Sequence, residues 1–164
     1  MKARTFLLAG LALMGMTALA NSSANASPET GLNLYVPSAL QWSKGPQGLP
    51  AGAQVVVLEG DPSKPGQFTM RLKLPAGYRI PPHWHSQVEH ITVLEGTFQL
   101  GHGEQFDPQA LREMPPGSFA FIPTGHRHFA MAKGESLIQL HGIGPWQIYY
   151  VNPADDPRGQ PGVR

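Results

Sequence analysis

Short runs of alternating apolar and polar residues, separated by glycine or proline, constrain this chain more than any other feature. Residues 68–74 (FTMRLKL) show the pattern most clearly, with four apolar residues alternating with three polar ones. A period of two is typical of a β-strand with one buried face. Glycine and proline together make up more than a fifth of the 164 residues and favour tight turns between short strands. With 41% apolar residues to build a core, the sequence predicts an all-β domain.

Nine short strands are predicted from these runs, together with one short helix. The helix is expected after Asp107, which can cap its N-terminus and is followed by Pro108. Residues 34–42 are expected to form an arm or an edge strand. The nine strands are expected at 54–59, 68–74, 83–86, 88–94, 97–100, 118–122, 127–132, 136–141 and 146–151. So many short strands with turns between them predict a closed barrel or a sandwich.

The first 26 residues have the layout of an export signal that is cleaved. Lys2 and Arg4 precede an apolar stretch over 6–20, and A-x-A cleavage sites follow at 18–20 and 24–26. The stretch is shorter than the roughly 18 residues that span a bilayer, so cleavage is preferred to a membrane anchor. We therefore expect a periplasmic or secreted protein without a stable membrane anchor. Its arm and loop would cover 27–52, its barrel 53–151 and a flexible tail 152–164.

Charge and cysteine content exclude several other classes of protein. Without Lys2 and Arg4 the chain has ten basic and eleven acidic residues, a net charge near −1. No basic stripe remains, so nucleic acid is not an expected partner. The absence of cysteine excludes disulfide bonds.

Two stretches of the sequence, here called windows, contain closely spaced histidines. Those of the first window, residues 77–96, have the spacing of metal ligands. Side chains two residues apart on a strand share a face, so His83 and His85 point the same way and Trp84 points the other way. Glu89 keeps the parity of the two histidines. Imidazoles and a carboxylate together suit a divalent transition metal. Because the imidazoles must be neutral to bind it, binding is expected to weaken as the pH falls through the histidine range.

The second window, residues 117–128, supplies another pair of histidines with a shared parity, His126 and His128. Residues 123–125 (PTG) predict a turn, and His128 is the first histidine well inside the strand that follows. We therefore predict His128 as the fourth ligand and expect His126 at the mouth of the cavity or beside the ligands. His90 has the opposite parity to Glu89 and is expected to point away from them.

Together the windows resemble the two sequence motifs of the cupin superfamily. The first, G-x5-H-x-H-x3-E-x6-G, is filled by Gly77, His83, His85, Glu89 and Gly96. The second, G-x5-P-x-G-x2-H-x3-N, is filled by Gly117, Pro123, Gly125 and His128, but Ala132 replaces its final Asn. The resemblance is to small exported single-domain cupins. It implies a conical, antiparallel, jelly-roll-like β-barrel, often a homodimer, with one Mn, Fe, Ni, Cu or Zn ion held by three histidines and Glu89.

Four functions stay open at this point. The expected one is a metal-dependent dioxygenase similar to the quercetinase type, acting on a small oxygen-bearing molecule, with Glu89 as its catalytic base. The second is an isomerase, lyase or hydrolase that uses the metal as a Lewis acid. The third is a non-enzymatic metal or small-ligand sensor, similar to the cupin half of zinc-binding anti-sigma factors. The fourth is a barrel in which the metal has a structural role alone.

Further residues are predicted around the site from strand parity and side-chain type. Gln139 and His141 share a strand face and are expected to donate hydrogen bonds to the ligands, with Tyr149 as a weaker candidate. Core or interface packing is expected for the aromatic residues Trp84, Trp146 and Tyr150. The expected cavity lining is Ile91, Val93, Phe98, Phe119 and Phe121. If the protein is a dimer, residues 34–42 are expected to pair across it.

Overall fold

The computed structural model describes residues 31–159. The chain divides into two units, the first ending at Leu34 and the second beginning at Tyr35. Residues 31–34, which belong to the first unit, contain no strand, and the fold below is that of the second unit, from Tyr35 onward. The predicted export signal, residues 1–26, lies outside the described residues. Within 31–159, no helix is long and apolar enough to cross a membrane.

Within residues 35–159, eleven antiparallel strands form two sheets, which confirms the all-β prediction. The strands are β1 (Ser43–Lys44), β2 (Gln54–Glu59), β3 (Gly66–Leu74), β4 (Arg79–His85), β5 (Glu89–Glu95), β6 (Phe98–His102), β7 (Arg112–Met114), β8 (Phe119–Ile122), β9 (His128–Ala132), β10 (Ser136–Gly144) and β11 (Ile148–Tyr150). The six-stranded sheet has the order β1-β2-β3-β10-β5-β8, and the five-stranded sheet β11-β4-β9-β6-β7. Among the described strands, every hydrogen-bonded pair lies within one sheet and none joins the two sheets. The fold is therefore an open, jelly-roll-like pair of layers.

The central pair of the larger sheet shows why the alternating pattern folds in this way. Phe68, Met70, Leu72 and Leu74 of β3 are all buried, whereas the residues between them are partly exposed. Strand β10 pairs with β3 along nine residues and buries Ile138 and Leu140 on the same inner side as these β3 residues. Buried residues of the smaller sheet complete the same core. Each strand therefore contributes one apolar face to the space between the layers.

The motif glycines at 77, 96, 117 and 125 all have positive φ angles, as tight turns require. Gly96 has φ +74°, and a Cβ built there would lie 2.1 Å from the carbonyl oxygen of Glu135. Gly125 has φ +75° in the turn that leads to His128. Both positions therefore need glycine in order to place the next strand.

The described segments near both ends of the second unit contain 3-10 turns. The predicted arm, residues 34–42, contains a 3-10 turn (Pro37–Ala39), and the first strand, Ser43–Lys44, begins just after it. The predicted flexible tail contains the 3-10 turns Pro153–Asp155 and Pro157–Gly159. Arg158 holds this tail in place, because its Nη2 donates to the Ile148 carbonyl oxygen at 3.0 Å.

The segment between β6 and β8 also differs in part from its prediction. The expected helix after Asp107 is a 3-10 turn, Pro108–Ala110, and the Asp107 carboxylate accepts from the Gln109 amide at 2.9 Å as a cap. Strand β7, which follows it, was not predicted, because its three residues are too few to show a period.

Candidate metal centre

Three strands bring the four predicted ligands together between the layers. His83 and His85 lie on β4, Glu89 begins β5 and His128 begins β9. His83 and His128 are direct partners in the β4–β9 ladder. One nitrogen or carboxylate oxygen from each of the four residues lies within 4.8 Å of the others. The structure thus assembles a His3Glu group that could hold a metal ion.

An irregularity in β4 turns both histidines of this strand inward. The β4–β9 register shifts between Ile80 and His83. Before the shift Ile80 and Pro82 are buried, and after it His83 and His85 are buried. The inward parity therefore changes at the Pro82–His83 step. Bulges of this kind commonly redirect side chains next to functional sites.

The group is almost fully shielded from solvent. His83, His85, Glu89 and His128 are 2–6% exposed. Glu89 Oε2 lies 3.3 Å from His85 Nε2 and 3.2 Å from His128 Nε2. The His83 and His128 ring centroids are 4.1 Å apart. A carboxylate oxygen is thus held against the Nε2 atoms of two imidazoles in a water-poor interior.

Backbone carbonyl oxygens hold the far side of all three rings. The Nδ1 atoms of His83, His85 and His128 lie 2.7, 3.1 and 3.0 Å from the carbonyl oxygens of Pro81, Gln147 and His126. A carbonyl can only accept, so each Nδ1 carries the proton and each neutral ring presents the lone pair of Nε2 to the centre. This is the tautomer that a histidine needs in order to bind a metal through Nε2.

Two buried polar atoms of the group have no hydrogen-bond partner among the described residues, namely His85 Nε2 and Glu89 Oε2. Unsatisfied buried acceptors are costly and rare in folded proteins. A divalent cation accepts the lone pairs of both atoms at once. The orphaned acceptors and the donor set therefore fit a transition metal held by His83, His85, Glu89 and His128.

The electrostatics of the group favour the protonation states that metal binding needs. Burial lowers the pKa of His83 well below its usual value, and the neighbouring His128 and His85 lower it further. Burial by itself would raise the pKa of Glu89, but His85 and His128 outweigh it and lower the pKa below its usual range when their rings are protonated. His83 is thus neutral and Glu89 ionised near neutral pH.

Trp146 is part of the site, although its sequence suggested only packing. Its ring stacks on His85, with centroids 4.0 Å apart and planes 12° apart, and it also contacts Phe68. The Trp146 amide donates to the Pro62 carbonyl oxygen at 2.7 Å. No local pattern marks this contact, since it joins the segment between β10 and β11 to a histidine about sixty residues earlier.

A cavity of about 330 Å³ opens beside the four ligands. Apolar side chains from both sheets form its walls, including Val55, Leu72, Ile91, Phe98, Ala130 and Leu140. The 46–49 loop, which was predicted to lie outside the barrel, also lines it. Tyr150 fastens that loop, because its hydroxyl donates to the Gly48 carbonyl oxygen at 2.8 Å.

The predicted cavity lining is correct for Ile91 and Phe98 and wrong for both phenylalanines of β8. Phe119 and Phe121 are 56% and 65% exposed, because Ala120 and Ile122 occupy the inner face of this edge strand. Val93 is fully buried in the core rather than part of the cavity wall.

Gln139 and His141 share a face as predicted, but it is the outer face of β10. Ile138 and Leu140 take the inner face, so neither polar residue reaches the ligands. Gln139 accepts from Arg71 Nε at 3.0 Å, and His141 stacks on His90. The prediction that they donate to the ligands is therefore wrong.

The remaining candidates lie at or beyond the edge of the site. The His126 side chain is exposed, and its contact with the site is the carbonyl oxygen that holds His128. Trp84 points away from the cavity and stacks on Tyr149, with centroids 4.2 Å apart. Tyr149 itself donates to Gln147 rather than to a ligand.

This fold and this buried group define a cupin. A family model for the ChrR cupin-like domain matches residues 33–147, about 70% of the chain. The chain therefore belongs to the ChrR cupin-like domain family. No curated protein matches the sequence.

Solved structures support the same fold. The polyketide cyclase RemF from Streptomyces resistomycificus superimposes with a TM-score of 0.63 at 18% identity, covering 78% of this chain and 91% of that chain. A protein of Methylibium petroleiphilum PM1, provisionally assigned as an acetylacetone dioxygenase, gives 0.56 at 18% identity, covering 76% and 84%. KdgF from Halomonas sp. gives 0.52 at 21% identity, covering 70% and 96%. At these identities the similarity shows the fold alone.

Proposed function

We propose that the protein is a metal-dependent enzyme with dioxygenase-type chemistry on a small oxygen-bearing molecule. The observation that carries the proposal is the buried His3Glu group, with every Nδ1 held by a carbonyl oxygen and every Nε2 facing the centre. Four protein ligands leave one or two coordination positions for other molecules. A bound Fe, Mn or Cu ion would supply activation of dioxygen and of a substrate oxygen.

The chain's own residues orient the reactants and control water and protons in this proposal. His83, His85 and His128 provide nitrogen donors, and burial lowers the pKa of His83 well below its usual value. Glu89 is the basic group at the centre and is the residue proposed to take a proton from a substrate hydroxyl or enolisable carbon. The apolar walls exclude water around it.

A non-enzymatic role as a small-ligand or metal sensor is the second candidate. Apart from the four ligands, the titratable residues among the described cavity lining are Asp61 and Arg158. Both side chains are 42% exposed and paired with an opposite charge, so the interior offers no further acid or base beside Glu89. An interior with a single proton carrier is consistent with binding without turnover.

The proposal places the mature protein outside the cytoplasm, in the periplasm or the medium, on the basis of the signal-like first 26 residues. It also includes a homodimer, as the cupin resemblance implies. Mass spectrometry of the exported protein would identify the cleavage site, and light scattering would give the oligomeric state.

The first test of the proposed function is elemental analysis of the exported protein. The full chain is expressed, and the exported protein is purified without chelator. We expect one equivalent of Fe, Mn or Cu per chain, and dioxygen consumption with a catechol, flavonol or β-diketone. One equivalent of Zn without dioxygen consumption would favour Lewis-acid chemistry or sensing. Folded protein that neither contains nor takes up a metal would contradict the proposal.

A further inference from the structure

The cavity wall beside the metal centre is built from hydrocarbon side chains over most of its surface. Strands β2, β3, β5 and β10 contribute from one sheet, and β4, β6 and β9 from the other. A sugar or an amino acid in such a space would lose its hydrogen bonds to water without gaining replacements. The walls therefore favour a ligand whose body is also apolar.

The charged side chains of the wall are already engaged by partners within the protein. Apart from Glu89, those of the described cavity lining are Asp61 and Arg158. Arg158 donates to Asp156, through Nε at 2.8 Å and Nη2 at 2.7 Å, and to the Ile148 carbonyl oxygen. Asp61 pairs with Lys64 at 2.9 Å and accepts from Ser63. Each of the two charges is thus already paired with an opposite charge within the protein.

The size of the cavity limits the ligand further. A volume of about 330 Å³ lies at the lower end of the range for small-molecule sites, roughly 300–1,000 Å³. At about 30 Å³ for each water-sized group, it holds on the order of ten such groups. This corresponds to one substituted ring or a short branched chain.

On these three observations, and resting on the proposed function, we propose a ligand class for this cavity. The ligand is a neutral, hydrocarbon-rich molecule of about one ring that carries one or two oxygen donors at a single end. The oxygen end lies toward His83, His85, Glu89 and His128, and the apolar body lies against the walls. Sugar acids, amino acids and phosphorylated compounds are excluded from the class.

Two probes of similar size separate this class from its main alternative. Benzoylacetone is a neutral β-diketone with a phenyl ring, and glucuronate is a hydroxyl-rich carboxylate that also offers oxygen donors. Calorimetric titration of the zinc-loaded full chain measures binding without dioxygen chemistry. We expect benzoylacetone to bind at least about tenfold more tightly than glucuronate, because only its body matches the walls.

Variants on adjacent residues of β2 locate the binding site. Val57 lines the cavity and is 43% exposed, so Val57→Phe narrows the cavity without overpacking the core. Val56, which is half-buried, has the opposite parity and does not line it, so Val56→Phe is the matched control. We expect Val57→Phe to weaken benzoylacetone binding at least about tenfold and Val56→Phe to leave it within about twofold. Zinc content and thermal unfolding of both variants verify that the centre and the fold are retained.

The outcomes separate this proposal from the proposed function. Glucuronate binding as tightly as benzoylacetone, or neither probe binding to zinc-loaded protein, would overturn the ligand class while the metal centre stands. An equal effect of the two valine variants would also overturn it. If the chain takes up no metal but metal-free protein still binds benzoylacetone at the Val57 site, the proposed function fails and the ligand class stands.

Discussion

The inner histidines, His83, His85 and His128, and the outer pair, His90 and His141, differ in their burial and in their charged neighbours. Glu89 and His90 are consecutive, yet Glu89 faces the buried group and His90 faces the outer side of β5. There His90 stacks on His141 of β10, with centroids 4.8 Å apart and planes 8° apart. The inner rings cross at 42–81° around a shared carboxylate, whereas no carboxylate pairs with the outer rings among residues 31–159.

The comparison shows what separates a candidate ligand from a surface histidine. Proximity of two imidazoles is common to both groups. Near-complete burial and an anion at the centre belong to the inner group. A carbonyl oxygen lies behind every inner ring, and the outer His90 Nδ1 also lies 3.3 Å from one, that of His141. Partial burial and His90 lower the pKa of His141, but this residue remains open to water.

The largest expected effect separates the two groups by their capacity to bind metal. Replacing His83 and His85 together by Ala should abolish stoichiometric metal binding, because two of four donors are lost. The matched control, His90→Ala with His141→Ala, should retain one equivalent per chain. Elemental analysis of both purified variants measures this difference. Metal retained by the first variant, or lost from the second, would overturn the ligand assignment.

The next effect tests the anion at the centre. Glu89→Gln keeps the shape of the side chain but removes its charge, so metal affinity should fall at least about tenfold. Glu113→Gln is the control, because this exposed carboxylate pairs with Lys133 at 2.6 Å away from the centre. Competition with a chelator of known affinity measures both variants. Equal affinities would show that Glu89 is not a ligand.

Substitutions of two stacked tryptophans separate an effect on protein stability from an effect on metal binding. Trp146→Leu removes the stack on His85, and Trp84→Leu removes the outward stack on Tyr149. Each should lower the free energy of unfolding by about 1–2 kcal/mol, as expected for partly buried aromatic pairs. Only Trp146→Leu should also weaken metal binding severalfold. Denaturant titration and metal competition report the two effects separately, and equal metal affinities would remove Trp146 from the site.

The pH dependence of the stability of the metal-free protein gives a smaller difference between the inner and outer histidines. The pKa of His83 is depressed in the folded state, so the unfolded chain takes up the proton first, near the usual value of 6.5. Stability should therefore fall as the pH decreases from about 7 to 5, by at most about 1.4 kcal/mol per pH unit for such a group. Replacing His83 by Asn should reduce this slope more than replacing His141 by Asn. Denaturant titrations across that range would decide it, and equal slopes would contradict the burial of His83.

The smallest effect concerns His126. Its side chain is exposed, and its carbonyl oxygen, not its imidazole, contacts His128. His126→Ala should leave metal content and affinity unchanged. A loss of metal measured by elemental analysis would mean that the imidazole of His126 is itself a ligand.

The buried face of a strand was predictable from the sequence where apolar and polar residues alternate. Residues 68–74 follow this rule, and β3 has the expected buried face. Strand β8 (FAFI) is apolar on both faces, so polarity could not orient it, and residue size suggested the wrong side. Its phenylalanines lie outside because β8 pairs with β5, where Phe119 and Phe121 are the partners of the outward-facing Thr92 and His90.

The grouping of the four candidate ligands was predictable from the sequence, and their surroundings were not. Spacing and parity bring His83, His85 and Glu89 to one place, and these are local properties of the sequence. Gln139 and His141 share a parity too, but which face is inner depends on Ile138 and Leu140 packing across the core. The Trp146 stack and the carbonyl oxygen of Gln147 come from a distant segment, whose approach only the folded chain determines.

The three carbonyl oxygens behind the histidine rings have a consequence for how this sequence can diverge. Every residue type carries a backbone carbonyl, so a change of side chain at positions 81, 126 or 147 leaves the acceptor in place. Mutations there are expected to accumulate freely while the rings keep their tautomer and direction. The orientation of the donors is thus inherited with the backbone path, and distant lineages can retain it without sharing the neighbouring residues.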